Sequence, residues 1–296
     1  EHARFRDDIR TFIRDNFPRE YRPDTAAEAV LEPEDTRFFN WAADRKSPNP
    51  ARRTAARAWA KALATRGWIA PHWPREYGGA GLTVFEQFIF NQEMARARVP
   101  AVGGVGVGLL GPTLITHGTE AQRRAHLPRI LAAETVWAQG FSEPGAGSDL
   151  AALKTRAVRD GDSYVLNGQK TWTSHAQYAD WLFALVRTNP EAPKHRGLTM
   201  LMMDLETPGI TVRPIVDMRG DQPFNEIFFE DVRVPAANRI GDEDRGWYVA
   251  MATLDFERSG IGGAEKYRQV LNALVEWLRS KQAAAQPDAR SREVVR

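Results

Sequence analysis

Hydrophobic residues in the first 135 positions recur at steps of three and four, the spacing expected for amphipathic helices. Residues 84–94 follow this spacing directly after Thr83, a residue type that favours a helix N-cap. Thr119 and Gln122 have the spacing of a capping box at the start of another helix. These patterns predict an N-terminal α-helical domain over residues 1–135.

The pattern changes after about residue 136 to short apolar runs roughly ten residues apart, which is typical of strands joined by tight turns. Asp160-Gly161 and Asn167-Gly168 are both dipeptides that favour such turns. The apolar runs lie at residues 181–186, 199–203, 210–212 and 227–229. They predict a middle domain over residues 136–238 that forms a small antiparallel β-barrel or sandwich and ends at Pro235 and Asn238.

Helical spacing returns at Gly246 and continues to about Ser280. An apolar stripe of this kind is expected to face a protein core. Its members are Met251, Leu254, Ile261, Ala264, Tyr267, Leu271, Leu274 and Leu278. We predict the start of a C-terminal α-helical domain over residues 239–296, and hence an α+β fold whose order is helical, β, helical.

The composition of the 296-residue chain narrows its possible functions. A net charge of +2 gives no support for nucleic acid or an anionic membrane surface as the main partner. No apolar run approaches the roughly 20 residues that a membrane span needs. The absence of Cys excludes structural disulfides, thiolate metal sites, iron–sulfur clusters and a thiol nucleophile. With no signal-like N-terminus, the cytosol is the expected location.

The first candidate binding segment is residues 141–149, with the sequence Phe-Ser-Glu-Pro-Gly-Ala-Gly-Ser-Asp. Its two glycines would let a flat or phosphorylated ligand approach the backbone, and its two serines offer hydroxyl donors. The same composition suits an ordinary turn between a helical and a β domain, and the spacing is neither a Rossmann nor a P-loop fingerprint.

The second candidate is Lys170-Thr171-Trp172-Thr173-Ser174. In a strand, Trp172 and Ser174 point to the same face, so they would offer an aromatic plate beside a hydroxyl group to a planar heterocycle. A core Trp with an incidental Ser neighbour explains the spacing at least as well.

Glu257 is the third candidate because it lies on the stripe that should face the core, three residues after Leu254 and four before Ile261. Burial would raise the pKa of an unpaired carboxyl group, which is the condition for a general acid or base near neutral pH. Pairing with Arg258, or a helix rotated so that the residue is exposed, is the alternative.

Together these segments resemble the acyl-CoA dehydrogenase family over nearly the whole chain. The matching motifs are residues 67–79, 142–149, 172–174 and 231–235, then Asn238, Gly241 and Asp255-Phe256-Glu257-Arg258. The resemblance implies the three-domain fold of that family, with a middle β-barrel between two helical domains. The sequence after Trp172 and the C-terminal tail resemble the bacterial branch that includes pimeloyl-CoA and steroid side-chain acyl-CoA dehydrogenases.

The resemblance also implies FAD as the cofactor. Phe141 and Ser142 would hold the edge of the flavin, Trp172 would pack against it, and Ser174 stands where the family often has Thr. The implied cofactor-binding residues are Gln139, Gly140, Phe141, Ser142, Gly147, Ser148, Trp172, Thr173 and Ser174.

The implied reaction is α,β-dehydrogenation of an acyl-CoA thioester to the trans-2-enoyl-CoA. The β-hydrogen leaves as hydride to flavin N5, and the electrons pass to an electron-transfer flavoprotein. Most members carry the catalytic Glu late in the C-terminal helical domain, and a minority carry it on this helix in an Asp-x-Glu-Arg context. The second pattern selects Glu257 as the α-proton base, and a base from the later region stays open as the alternative. Ser148, Asp255 and Arg258 match positions that contact the thioester substrate.

Two departures from the family bear on assembly and substrate. Residues 279–287 lack the Arg-x-x-Phe-Gly segment with which many members reach a neighbouring subunit's FAD, so a homo-oligomer and a hetero-oligomer both stay open. Residues 102–108 contain four glycines in a segment that lines the acyl pocket in many members. These glycines either widen the pocket for a bulky or ring-bearing acyl group, or they reflect close helix packing or a loop.

Two further classes of function stay open at this point. One is a non-catalytic subunit that completes a partner's site in a heteromer. The other is a flavin oxidase or monooxygenase on the same fold.

Overall fold

The structure is a computed structural model that describes residues 2–21, 40–257 and 263–284. Its helices are α1 His2–Asn16, α2 Trp41–Asp44, α3 Pro50–Thr65, α4 Val84–Arg96, α5 Gly111–His117, α6 Glu120–Leu131, α7 Gly246–Glu257 and α8 Gly263–Ala284, and a π-helical turn over Gly106–Leu110 leads into α5. Its strands are β1 Trp137–Gly140, β2 Arg156–Asp160, β3 Ser163–Ser174, β4 Trp181–Arg187, β5 Leu198–Asp204, β6 Ile210–Ile215, β7 Phe224–Pro235 and β8 Arg239–Ile240. This order confirms the predicted α+β fold.

Contacts within the chain group it into two compact units. The first comprises residues 1–62, 82–101 and 260–296, and the second comprises residues 63–81 and 102–259. The predicted domain borders at 135/136 and 238/239 stay predictions. No helix among the described residues is both long and apolar enough to cross a bilayer.

The first unit is built on helices α1, α3, α4 and α8. Trp59 is fully buried between the rings of Phe12 and Phe17, with centroid distances of 5.8 and 5.3 Å, and its indole N–H donates to the Pro100 carbonyl at 3.0 Å. The predicted N-cap of α4 is confirmed, since Thr83 forms a complete capping box. Aromatic packing and local capping therefore define this unit.

The second unit contains an eight-stranded sheet in the order β6-β7-β3-β2-β4-β5-β8, with β1 added beside β4. Neighbouring strands are antiparallel except in the β1–β4 and β2–β4 pairs, which are parallel. The predicted antiparallel domain does not include these two parallel pairs. The sheet also extends past the predicted end, because Arg239–Ile240 pairs with β5. Residues 182–186 and 198–203 are buried at every position, because both faces of β4 and β5 are covered.

One predicted turn is confirmed and the other is wrong. Asp160-Gly161 joins β2 to β3 as a hairpin, with Gly161 at φ +60°. Asn167-Gly168 instead lies inside β3 at a shift of register against β7. The Asn167 side chain donates to the Asp231 carboxylate at 2.9 Å and accepts from its N–H at 3.0 Å, so a partner 64 residues away replaces the turn.

The C-terminal apolar stripe is only partly buried. In α7, Val249, Ala250 and Thr253 are buried. The predicted core positions Met251 and Leu254 are only half-buried, so the buried face of the helix differs from the predicted one. In α8, Leu271 and Leu274 are 59% and 40% exposed. Ile261 of the predicted stripe lies outside the described residues, as do the side chains of Ala264 and Tyr267.

Candidate active site

Strand β1 leads into the first predicted binding segment. It runs parallel to β4, with Gly140 opposite Ala184. A Cβ atom at Gly140 would lie 3.3 Å from the Ala184 Cβ, closer than side chains normally pack, which accounts for the glycine. Gln139 before it is half-buried, and Phe141 after it is buried with its ring perpendicular to that of Phe183 at 5.9 Å. This packing fixes where the chain leaves the sheet.

The segment then closes a tight turn whose outer surface is open. Glu143 and Ala146 exchange two backbone hydrogen bonds of 3.0 Å. Gly147 and Ser148 are exposed. A Cβ atom at Gly145 or Gly147 would meet no atom within 4 Å, so the space beside this turn is free of the described chain.

Inside the turn lies a buried ion pair. The Lys170 side chain is fully buried, and its Nζ donates to Glu143 Oε1 at 2.8 Å and to the Phe141 carbonyl at 3.0 Å. The Glu143 carboxylate also accepts from the backbone N–H groups of Lys154 and Thr155 at 2.6 and 2.8 Å. Every charge in this cluster therefore has a partner.

The ion pair sets the protonation of both groups. Burial alone would raise the pKa of Glu143, but the Lys170 ammonium and the N–H donors outweigh it and hold that pKa below its usual value. Burial lowers the pKa of Lys170 to about 8, against the opposing effect of Glu143. At neutral pH the pair is charged on both sides.

The second predicted segment begins directly beside this turn. The Thr171 N–H donates to the Ser142 carbonyl at 2.9 Å. The β3–β7 register then shifts between Lys170 and Thr173, and Trp172 in the bulge has a left-handed φ of +60° with 61% of its surface exposed. Ser174 is exposed as well, which agrees with a shared face for the two side chains.

Thr173 points the other way. It is 2% exposed, and its hydroxyl oxygen has no hydrogen-bond partner. Its carbonyl accepts from the amide of the buried Asn225 at 3.0 Å.

The structure thus brings residues 139–148 and 171–174 together as one surface. The surface offers an exposed indole ring, hydroxyl groups and an open glycine turn, which suits a planar ligand that carries polar or phosphate groups. No group of three His, Asp or Glu side chains in the described part of the chain could hold a metal ion.

The third predicted element is the end of α7. The hydroxyl oxygens of Thr253 and Thr113 lie 2.8 Å apart and tie α7 to α5. Glu257 is the last residue of α7, one turn after Thr253, so its backbone lies on the buried side of the helix. Asp255 is exposed. The Glu257 side chain and the whole of Arg258 lie outside the described residues, and their roles stay predictions.

Sequence reasoning did not assign a role to Lys170 or Glu143, although both lie in the predicted motifs. It also missed Asn225 and Phe224, whose ring stands perpendicular to that of Trp172 at 5.9 Å. A signal for Lys170 was available, since a lysine at an inward strand position beside an aromatic residue needs a buried partner.

Comparison with known proteins places these features in a family. The family models for the acyl-CoA dehydrogenase N-terminal domain and middle domain match residues 36–134 and 138–232. Acyl-CoA dehydrogenase IpdE1 of Mycobacterium tuberculosis is 47% identical over 239 residues, which are 80% of this chain and 62% of that protein. The chain therefore spans less than two thirds of the length of such curated relatives.

Solved structures agree with these matches. The Tcur3481-Tcur3483 steroid ACAD superposes with a TM-score of 0.77 at 33% identity, over 97% of this chain and 69% of that chain. The ChsE4-ChsE5 complex from Mycobacterium tuberculosis gives a TM-score of 0.67 at 36% identity, over 86% and 60% of the two chains. From these matches and the shared fold, the chain belongs to the acyl-CoA dehydrogenase family.

Proposed function

We propose that the protein is an FAD-dependent acyl-CoA dehydrogenase that converts an acyl-CoA thioester to its trans-2-enoyl-CoA. Membership of the family implies FAD as the cofactor. The observation that carries the proposal is the junction of the glycine turn with the Trp172 bulge through the Thr171–Ser142 hydrogen bond of 2.9 Å. It unites the two segments in which the family resemblance places the flavin.

The residues present at this junction fit FAD. The exposed Trp172 ring, the unpartnered hydroxyl of buried Thr173 and the open space at Gly147 suit a large planar cofactor with hydrogen-bonding edges and phosphates. The residues that would hold it are Gln139, Gly140, Phe141, Ser142, Gly147, Ser148, Trp172, Thr173 and Ser174. When bound, FAD supplies a hydride acceptor at flavin N5.

In this proposal Glu257 removes the α-proton of the thioester. The Cα–H bond breaks with the proton going to the Glu257 carboxylate, the Cβ–H bond breaks as hydride, and a Cα=Cβ double bond forms. Ser148, Asp255 and Arg258 would contact the thioester substrate. The Asp-x-Glu-Arg context and the place of Glu257 in α7, one turn after the buried Thr253, support this role.

We also infer that the acyl group is bulky or ring-bearing. The comparison structure at 33% identity is titled a steroid ACAD. In this chain, a Cβ atom at the half-buried Gly108 would meet nothing within 4 Å, so this glycine leaves space that a larger side chain would fill. The proposal retains the expected cytosolic location.

The proposed partners are an electron-transfer flavoprotein and further subunits. Two similar solved structures carry paired names, Tcur3481-Tcur3483 and ChsE4-ChsE5, and the latter is titled a complex. We therefore favour a hetero-oligomer, in which a partner would supply what residues 279–287 lack. The alternative of a non-catalytic subunit follows from the same titles.

An anaerobic titration of the intact protein with a panel of acyl-CoAs, followed at the long-wavelength flavin band, tests the function. Ring-bearing thioesters should bleach the band, and E257Q should slow bleaching by about 10²–10⁴-fold while retaining the flavin. E276Q, at an exposed position of α8, is the matched control and should bleach normally.

The other outcomes separate the alternatives. A yellow protein that consumes oxygen and is not bleached by any thioester indicates an oxidase or monooxygenase. A colourless protein that copurifies with a related flavin-bearing chain indicates a non-catalytic subunit.

A further inference from the structure

The Glu143–Lys170 ion pair is buried at both ends, with 8% and 0% of the two side chains exposed. Buried ion pairs often contribute little net stability, because desolvation offsets their attraction. Hydrophobic residues could fill the same volume. Stability alone therefore does not explain why an ion pair is present at this position.

Its geometry fixes the chain on both sides of Ser142. Lys170 Nζ holds the carbonyl of Phe141 and the carboxylate of Glu143, at 3.0 and 2.8 Å. The N–H of Thr171 holds the Ser142 carbonyl at 2.9 Å. Three successive residues of the turn are thus tied to two successive residues of β3.

The same ties act on Trp172. Its backbone is fixed on one side by buried Lys170 and on the other by Asn225, which donates to the Thr173 carbonyl at 3.0 Å. Between these anchors, Trp172 takes a left-handed conformation that a bulky residue adopts only when its surroundings impose it. The Trp172 side chain itself is mostly exposed, so packing of the ring does not explain the conformation.

We propose that Lys170 and Glu143 are positioning residues that hold Ser142 and Trp172 at the spacing needed to bind the flavin of FAD. This inference rests on the proposed function, because it assigns these two residues to the same cofactor surface. Neither residue touches the reacting atoms. Their effect reaches the cofactor through the backbone of residues 141–143 and 171–172.

Titration of the apoprotein with FAD, read from quenching of flavin fluorescence, tests the proposal in the intact protein. The variant E143Q/K170M removes both charges, so no uncompensated charge stays buried. The matched control is E93Q in the other unit, where Glu93 is 3% exposed and paired with Arg6, Arg10 and Arg96. Both variants remove a buried carboxylate and should lower the Tm of the apoprotein.

We expect E143Q/K170M to weaken FAD binding at least about tenfold and to change the visible circular dichroism of the bound flavin, which reports its orientation. E93Q should bind FAD as the wild type does. The single variant E143Q keeps one of the two acceptor oxygens of the carboxylate and should show a loss in the same direction. If the double variant does not fold, the FAD affinity of E143Q tests the proposal in its place.

Normal FAD affinity and an unchanged flavin spectrum in E143Q/K170M, or in E143Q when only that variant folds, would overturn the proposal. So would a loss of affinity in E93Q as large as that in E143Q/K170M, because FAD binding would then follow general stability. A wild-type protein that binds no FAD contradicts the proposed function, a separate result seen before any variant is compared.

Discussion

Trp172 combines exposure and backbone strain at one residue of the proposed cofactor surface. The left-handed conformation costs a non-glycine residue about 1–2 kcal/mol. The ring recovers part of this through its perpendicular contact with Phe224, a type of contact worth about 0.5–1.5 kcal/mol. Because Trp172 is 61% exposed, its strained conformation is better explained by binding of a ligand than by a contribution to the stability of the protein.

Replacing Trp172 should therefore separate binding from folding. Asn tolerates the left-handed region, so we expect W172N to change the free energy of unfolding of the apoprotein by less than about 1 kcal/mol. FAD affinity should fall about tenfold or more, because stacking on an aromatic side chain is worth about 1–3 kcal/mol. Urea unfolding and FAD titration measure the two quantities, and W172F, which keeps a planar ring, is the control.

A large loss of apoprotein stability in W172N, with FAD affinity unchanged, would instead make Trp172 a structural residue. The sequence placed this Trp beside a hydroxyl group, but it could not distinguish a core Trp from an exposed one. That distinction depends on the bulge, and the bulge depends on pairing with β7, which lies about 50 residues further along the chain.

At the scale of elements, the glycines of residues 103–108 divide into two kinds. A Cβ atom at Gly106 would lie 3.1 Å from Trp137, and one at Gly103 would lie 2.2 Å from Val107, so these two glycines allow close packing. Gly104 and Gly108 face open space. Close packing therefore explains Gly103 and Gly106, and the widened pocket stays a proposal for Gly108.

Substitutions at Gly106 and Gly108 should have opposite consequences. G108A should keep or raise stability by up to about 1 kcal/mol, because alanine favours helices over glycine and meets no neighbour here. G108L should reduce turnover of ring-bearing acyl-CoAs far more than of short ones, by occupying the proposed acyl space. G106A, the matched packing control, should lower stability with no preference among substrates.

Tm values and steady-state rates with a short and a ring-bearing thioester measure these effects. An equal loss of both activities in G108L would remove Gly108 from the acyl pocket. Unchanged stability in G106A would show that Trp137 moves aside.

Elements defined by local signals were predictable, and those defined by distant partners were not. The N-cap at Thr83, the capping box at Thr119 and the Asp160-Gly161 hairpin depend on residues within a few positions, and all three are confirmed. Asn167-Gly168 has an equally strong local turn signal. Its hydrogen bonds with Asp231 override that signal, and one sequence contains no sign of this pairing.

At the scale of the whole molecule, each unit has a buried carboxylate with a lowered pKa. In the first unit, three arginines outweigh the effect of burial on Glu93, and in the second, Lys170 does so for Glu143. Both carboxylates must be protonated as the protein unfolds in acid. Acid should therefore destabilise both units. The free energy of unfolding should fall at pH values below the usual carboxyl pKa of 4.5.

Histidines with a lowered pKa should add an earlier loss of stability, which begins as the pH falls below 6.5. Desolvation lowers the pKa of His72, His126 and His175 below 6.5. The effect should be largest for His126, which is buried and lies near Arg129, whereas His72 and His175 are exposed. The unfolded chain then takes up protons before the folded one does. Stability is therefore fully present above pH 6.5 and declines as the pH falls.

Urea midpoints of the apoprotein between pH 7.5 and 5 should show this decline, and H126F should make it shallower. The phenyl ring keeps the edge contacts that His126 makes with Trp137 and Trp181 at 5.3 and 5.2 Å, but it cannot take up a proton. At pH 7.5 the variant and the wild type should differ by much less than at pH 5. Parallel pH profiles for the two proteins would mean that His126 is protonated equally in the folded and unfolded states, and would assign the decline to the other two histidines.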